Sequence, residues 1–446
     1  MRNFSRLLGL LAGALLIMLC GFVTAQPSLK KDAANSSNDV EDVTTVLTAH
    51  SSDAIFRSAA SYTFSVKNNL DKPESGKLTY VVTDQFNKKL LADSMQISFG
   101  ALSSKDYDFT IPEAKAGFYK INFMINVTDY DDTTRRVFGI RPEEIRSAHP
   151  KPDDFDKFWD DTKKELAAIK PNYKVTERPD MEDGVRKVYV IEMQSLGNLT
   201  IRGWMTLPVD HPKNRKFPVL LMLPGYQASN KPLLGPEYET AFITLDVRGQ
   251  GMNREDMQMR REDYIVSGLE DKNKYILRGI IADCLRCMDF IFSRADLNHD
   301  EIAVTGGSMG GYLSITTAAL DKRVTFCAPQ NPFMSDIYNM DHGAVTWPIN
   351  HMKDYVNIRP GLTFEKVLDN LQYFDTKNFA TSVTCPVDMG MGLLDPFVPP
   401  NNSYIVYNNF PAKKKKLFVF KNLGHEVGDS YYTYETLWIH DAFALF

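Results

Sequence analysis

The sequence predicts an α/β fold with a mostly parallel wound sheet, preceded by a small all-β domain of the immunoglobulin-like sandwich type. Three observations carry this reading. Residues 44–142 alternate polar and apolar positions between turn residues, with no helical spacing. Residues 145–446 instead alternate continuous apolar runs with segments of helical spacing. Pro150, Pro152 and the pair Asp153-Asp154 mark the break between the two patterns. A chain of 446 residues accommodates both domains.

The N-terminus has the parts of a signal peptide. Arg2 and Arg6 form a basic region, Leu7 to Leu19 an apolar run too short to span a bilayer comfortably, and Val23-Thr24-Ala25 a small-residue cleavage site. Residues 1–25 are therefore expected to be removed on export, leaving a periplasmic or secreted protein. Cys20 raises a lipoprotein reading, but the bulky Leu19 before it fits that processing poorly. Residues 26–43, rich in Asp, Asn and Ser, read as a flexible leader.

In the β region, Tyr62–Val66 and Leu78–Val82 read as short strands separated by Asn68-Asn69 and Asp71-Lys72-Pro73. Phe118–Val127 reads as a longer one. The second region opens with Phe155, Phe158, Trp159, Thr162, Leu166 and Ile169 at helical spacing, with Asp153 as the expected N-cap. Val188–Ile191 and Ile201–Met205 read as an opening antiparallel pair. Val219–Leu223, Phe242–Leu245, Ile302–Val304 and Leu417–Phe420 are apolar runs suited to parallel strands buried on both faces.

Hydrophobic residues make up 43% of the chain and charged residues 24%, with a net charge of −5. That balance suits a soluble globular protein and argues against phosphate-backbone binding. No stretch after the signal is long and apolar enough for a membrane helix. Cys284 and Cys287 resemble a CxxC pair, yet they fall on the helical stripe Ile280, Cys284, Cys287, Met288, Ile291. They read as buried thiols rather than as ligands or a redox pair, and no metal site is expected.

The sharpest chemical signal is Gly306-Gly307-Ser308-Met309-Gly310-Gly311, between the run Ile302–Val304 and the helix-like Leu313–Leu320. This is the strand–turn–helix context of a nucleophile elbow, in which flanking glycines admit a turn too tight for side chains. A serine hydroxyl needs a base, and the base needs an orienting acid. In the α/β-hydrolase fold the acid and then the histidine follow the serine along the chain. Asp395 in Leu393-Leu394-Asp395-Pro396 and His425 in Leu423-Gly424-His425-Glu426 fill those places. The N–H of Met309 and the N–H of Tyr226, after the run Val219–Leu223, are the candidate oxyanion donors. His425-Glu426 does not open a zinc motif, because the fifth position is Asp429.

Together these segments resemble the acetyl xylan esterase and cephalosporin C deacetylase family, carbohydrate esterase family seven, over residues 145–446. The marks are Pro152–Trp159, Gly225-Tyr226, Asp246-Val247-Arg248-Gly249-Gln250-Gly251, the elbow at 306–310, Tyr373-Phe374-Asp375, Gly392 through Pro400, and Gly424-His425-Glu426. The resemblance implies a triad of Ser308, Asp395 and His425, with Tyr226 and Met309 N–H groups as oxyanion hole. It also implies deacetylation of small acetylated carbohydrates or oligosaccharides without metal or cofactor. Arg248 and Gln250 are then loop organisers rather than catalysts.

This chain has Met309 where the family has glutamine, and Pro224 where it usually has histidine. The compact family members lack the N-terminal β domain, so their closed hexamers are not carried over and assembly stays open. The insertion at about 331–375, with Phe333, Tyr338 and Trp347, is expected to cover the site. Two other functions fit the same sequence. One is a broad carboxylesterase or prolyl-oligopeptidase-like peptidase on this fold. The other is a non-catalytic glycan-binding protein.

Overall fold

Apolar runs that bury both faces need a layer of helices on each side, and the computed structural model is built that way. It describes residues 41–445, except 113, 211–214, 236–238, 258–260 and 343–346. The expected signal peptide, Cys20 and most of the expected leader lie outside the described residues. Among the described residues, no helix is long and apolar enough to cross a membrane.

The first 100 described residues form two sheets around one core. Strands β1 (Val43–Ala49), β3 (Ala60–Asn68) and β6 (Ser104–Ile111) make the smaller sheet, in the order β1-β3-β6. The larger runs β2 (Ile55–Phe56), β8 (Tyr130–Ile140), β7 (Gly117–Val127), β4 (Glu74–Thr83) and β5 (Lys89–Phe99). The alternation read from the sequence is the burial pattern itself. Tyr62, Phe64 and Val66 point inward, as do Ile121, Phe123 and Ile125. Tyr62 and Phe64 pack their rings on Phe123 at centroid distances of 5.5 and 6.1 Å. Strand β1 begins at Val43, which is fully buried and is the last residue of the expected leader.

The second region is a nine-stranded sheet. Its strands are β9 (Lys174–Glu177), β10 (Arg186–Gln194), β11 (Thr200–Pro208), β12 (Phe217–Met222), β13 (Ala241–Asp246), β14 (Leu297–Gly307), β15 (Phe326–Gln330), β16 (Val387–Gly392) and β17 (Lys415–Phe420). They lie in the order β17-β16-β15-β14-β12-β13-β11-β10-β9. Strands β9–β11 pair antiparallel, as the sequence suggested for 188–191 with 201–205, and β12–β17 are parallel.

The helices are α1 (Phe155–Ala167), α2 (Ile276–Ser293), α3 (Met309–Leu320), α4 (Ile337–His342), α5 (Ile349–Asn357), α6 (Phe364–Leu371), α7 (Thr376–Ala380), α8 (Pro400–Asn409) and α9 (Asp429–Ala442). Cys284 and Cys287 are fully buried on α2 with Ile280, Met288 and Ile291, as expected from the stripe. One expectation fails. The N-cap position of α1 is Asp154, not Asp153, and its side chain caps nothing. The Asp154 carboxylate instead bonds the Tyr373 hydroxyl and Lys272, so tertiary partners outcompete the helix end for it.

Strand β12 lies between β13 and β14, so the chain leaves it toward one side and later returns on the other. Loops at the carboxyl ends of neighbouring strands diverge at such a point and leave a crevice. Here the loop after β12 faces the turn after β14.

The two regions are not joined by a bare linker. Met391 at the end of β16 and Leu393 just after it belong to the hydrophobic core of the β sandwich, with Leu394, Tyr404 and Val419 packed beside them. The sandwich therefore covers the sheet beside the strand that leads to Asp395.

Candidate active site

Ser308 sits between β14 and α3 with φ 58° and ψ −117°, a backbone state that L residues occupy only under constraint. The constraint is visible on both sides. A Cβ at Gly306 would stand 2.6 Å from the Leu223 carbonyl oxygen, and one at Gly310 would stand 2.3 Å from it. Leu223 donates its own N–H to Thr305 at 2.9 Å, and Ser308 donates its N–H to the Gln330 carbonyl at 2.9 Å. The serine is half-buried, while Met309 and the helix behind it are buried.

As the first residue of α3, Met309 has an N–H with no acceptor inside its own helix, at the end favoured by negative charge. The loop after β12 runs beside this turn, so that a Cβ added at Gly225 would stand 3.8 Å from the Gly307 carbonyl oxygen. Gln250 straps this loop, accepting from the Gln227 N–H at 2.9 Å and donating to the Gly225 carbonyl at 3.1 Å. Tyr226 is thus held between two anchored neighbours. Asp246 adds a further tie by accepting from the Asn230 and Met252 N–H groups, both at 2.9 Å. Burial outweighs those bonds and pushes its carboxyl up to about 6.

Arg248 points the other way. Its guanidinium clasps Asp283 of α2 through Nε at 2.9 Å and Nη2 at 2.7 Å, and Nη2 also reaches the Leu196 carbonyl at 3.0 Å. Both side chains are buried, so Arg248 fixes the loop to the helix layer.

His425 and Asp395 meet. Nδ1 of the ring lies 2.7 Å from Oδ2 of the carboxylate, whose Oδ1 accepts from the Phe397 and Val398 N–H groups at 2.8 and 2.9 Å. The Asp395 side chain is fully shielded and the His425 ring 25% exposed, so only the ring is reachable from the cleft. Ser308 is tied to the same neighbourhood through the main chain. Its carbonyl accepts from the Phe333 N–H at 3.1 Å, and Asn331 between them donates its side-chain amide to the His425 carbonyl at 2.6 Å. Among the described residues no hydrogen bond joins the Ser308 hydroxyl to the ring, a contact that often tightens only on substrate binding.

Around these groups stands an aromatic wall. Trp347 packs on Tyr226 at 4.8 Å, on Phe333 at 5.5 Å and on Phe397 at 6.4 Å, and Phe397 packs on His425 at 5.1 Å. Tyr338, expected with them, instead stacks on His149 at 3.8 Å and bonds Asp369. Asp375 accepts the Asp336 and Ile337 N–H groups, both at 2.9 Å, and so fixes the start of α4. Among the described residues no group of three or more His, Cys, Asp or Glu is placed to hold a metal ion.

Three residues of the site's support have no signal in the sequence. Asn331 ties the His425 loop to the Gly392 N–H at 3.1 Å. Gln330 accepts the Ser308 amide through its carbonyl and reaches Glu435 of α9 with its side chain at 3.5 Å. Glu435 also receives the Thr305 hydroxyl. The side-chain partners are about 60 to 130 residues apart, and no local pattern links them.

The model of the acetyl xylan esterase family matches residues 141–441. The chain belongs to this family. As such it is a carboxylic ester hydrolase of the α/β-hydrolase fold. It is 31% identical over 320 residues to an acetyl esterase, Axe7A, of Xylanibacter ruminicola, a match spanning 68% of this chain and 70% of that protein. Among solved structures it resembles the acetyl xylan esterase from Paenibacillus sp. R4 with a TM-score of 0.61. That likeness covers 68% of this chain and 98% of the other at 24% identity. Acetyl xylan esterase 1 from Thermoanaerobacterium gives a TM-score of 0.59 at 24% identity, covering 68% and 97%. These two structures bear on the fold. The family match ends the reading of the chain as a non-catalytic glycan binder and does not extend to residues before 141, which include nearly all of the β sandwich.

Proposed function

We propose that this family member is an exported serine esterase that removes acetyl groups from acetylated xylan-type carbohydrates, with Ser308 as nucleophile, His425 as base and Asp395 as orienter. The observation that carries the proposal is the 2.7 Å bond from the His425 ring to a fully shielded Asp395, on the fold where Ser308 heads a constrained elbow.

The chemistry is a two-step acyl transfer. His425 Nε2 takes the hydroxyl proton as Ser308 Oγ bonds to the acetyl carbonyl carbon. The oxyanion is met by the Met309 and Tyr226 N–H groups, each worth roughly 3 kcal/mol in such sites. The ester C–O bond breaks as His425 returns the proton to the departing sugar oxygen. Water then attacks the acetyl-enzyme by the same route, releasing acetate and restoring the serine. Asp395 fixes the ring tautomer and favours the imidazolium that forms at each step. The aromatic wall of Trp347 and Phe397 offers stacking faces to a sugar ring.

The test is acetate release from acetylated xylo-oligosaccharides, simple sugar acetates and a cephalosporin acetate ester, with dipeptide amides as contrast. The proposal expects the acetylated sugars to lead and the amides to fail. Preference for butyryl over acetyl esters, or amide cleavage at comparable rates, overturns it. Export, supported by the makeup of residues 1–25, is checked by N-terminal sequencing of the mature protein, with Gln26 expected first.

A further inference from the structure

The segment Met391–Asn401 carries Asp395 at its middle, and the β sandwich grips it at both ends. On the near side, Met391 and Leu393 lie in the sandwich core, 0% and 1% exposed. On the far side, Asn401 in the first turn of α8 accepts the main-chain N–H of Phe118, on β7, through Oδ1 at 3.1 Å. Phe118 also packs its ring on Tyr404 of α8 at 5.2 Å. The Asn401 amide donates to Gln85 in the turn after β4, and Gln85 donates to Asn339 of α4 at 3.3 Å. Asn402 beside it donates to the Ser335 and Asp336 carbonyls at 2.6 and 3.2 Å. Asn401 is only 6% exposed and its bond to the Phe118 N–H is buried, while Gln85 and Asn339 are half-buried.

We infer that the β sandwich is a working part of the esterase site. It clamps the acid-bearing segment at Met391–Leu393 and at Asn401, with Asn401 as a positioning residue for Asp395. This rests on the reading of Asp395 as the orienter of His425. The physical case is one of leverage. Asp395 hangs on a turn whose own bonds, from Phe397 and Val398, are local to it. Such a turn moves as a unit unless its two stems are fixed. One stem is held by apolar burial in the sandwich together with the main-chain bonds of Leu393 to Phe420 and Leu394 to Leu423, and the other by a buried amide whose partners are on β7 and in the turn after β4. A shift of about 1 Å in a catalytic group can cost on the order of a hundredfold in rate. A spacer domain would be indifferent to Asn401, whereas a clamp is not.

The test uses the full chain and a small aryl acetate, so that substrate reach plays no part. Asn401→Ala should lower kcat about tenfold or more with KM within about twofold, because the loss lies in the transition state. A loosened Asp395 stabilises the imidazolium less, so the acid limb of the kcat/KM profile should move to lower pH. Asn401→Asp still accepts the Phe118 N–H and can take the Gln85 amide as its donor, so it should restore most of kcat. Leu393→Ala loosens the other stem, should lower kcat in the same direction, and decides the matter should Asn401→Ala fail to fold. Unchanged kcat and acid limb in Asn401→Ala and Leu393→Ala overturn the clamp, as does equal loss in Asn401→Asp. Ser308→Ala run alongside separates the two readings. Full loss there with no effect of the other variants removes the clamp alone, and retained activity there removes the triad.

Discussion

The side chain of Asn331 donates to the main-chain carbonyl of His425 at 2.6 Å while its oxygen accepts from the N–H of Gly392 at 3.1 Å. One amide thereby ties together the end of β16, the loop of the base and the residue that follows Gln330, whose carbonyl holds the Ser308 N–H.

Asn331→Ala leaves a buried N–H and a carbonyl without their partner and frees the base loop. Its kcat on an aryl acetate is expected to fall about tenfold to a hundredfold. Steady-state kinetics beside a thermal midpoint check this, and a loss of stability with full kcat would contradict it.

Gln250 acts on the oxyanion side. Gln250→Ala releases both Gly225 and Gln227, so the Tyr226 N–H loses its aim. Because oxyanion donors act in the transition state, the expected loss is in kcat, about tenfold to a hundredfold, with KM little changed. Kinetics with a substrate series will show whether KM moves instead.

Arg248 is expected to act on stability rather than chemistry. Arg248→Ala leaves the Asp283 carboxylate buried without its ion pair, a change that typically costs about 3–5 kcal/mol. Denaturant unfolding measures it. Arg248→Lys should lose part of the same amount, because an ammonium cannot reproduce the two-pronged contact.

The elbow and its partners were legible because each is written locally. Glycines flank Ser308, an apolar run precedes it, and the order of acid and histidine follows. Strand runs such as Val219–Leu223 and the alternation at Tyr62–Val66 were legible for the same reason, since burial on one or both faces leaves a period in the sequence. Asn331, Gln330 and Glu435 were not, because their roles come from contacts across the sheet that no short window contains. Asp153 was misread because a helix start was judged by its nearest residues, whereas Tyr373 and Lys272 decide what Asp154 does. The docking of the sandwich on Met391 and Leu393 was equally silent, because an apolar stretch before Asp395 does not say which core it enters.

Glu435 predicts a pH dependence. Burial under the elbow raises its carboxyl from 4.5 to about 7, partly countered by the Thr305 hydroxyl. Glu435 in turn adds to the upward shift that burial gives the Tyr431 hydroxyl on the same helix. Between those two pH values the folded protein keeps a proton that the unfolded chain releases. Stability is therefore expected to fall as pH rises from about 4.5 to 7, by up to on the order of 3 kcal/mol, and to stay lower above that. Glu435→Gln removes the penalty, so it should be more stable than the parent at pH 8 and similar to it at pH 5. Thermal unfolding at both pH values is the check, and a variant weaker than the parent at pH 8 would contradict the sign.

Every step of the acyl transfer passes through Ser308 in the proposed chemistry. Treating the enzyme with a fluorophosphonate and mapping the adduct by peptide mass spectrometry tests it most directly. One adduct is expected, on Ser308, formed in step with the loss of acetate release and absent from Ser308→Ala. Inactivation with the label on another residue, or acetate release surviving in Ser308→Ala, would contradict it.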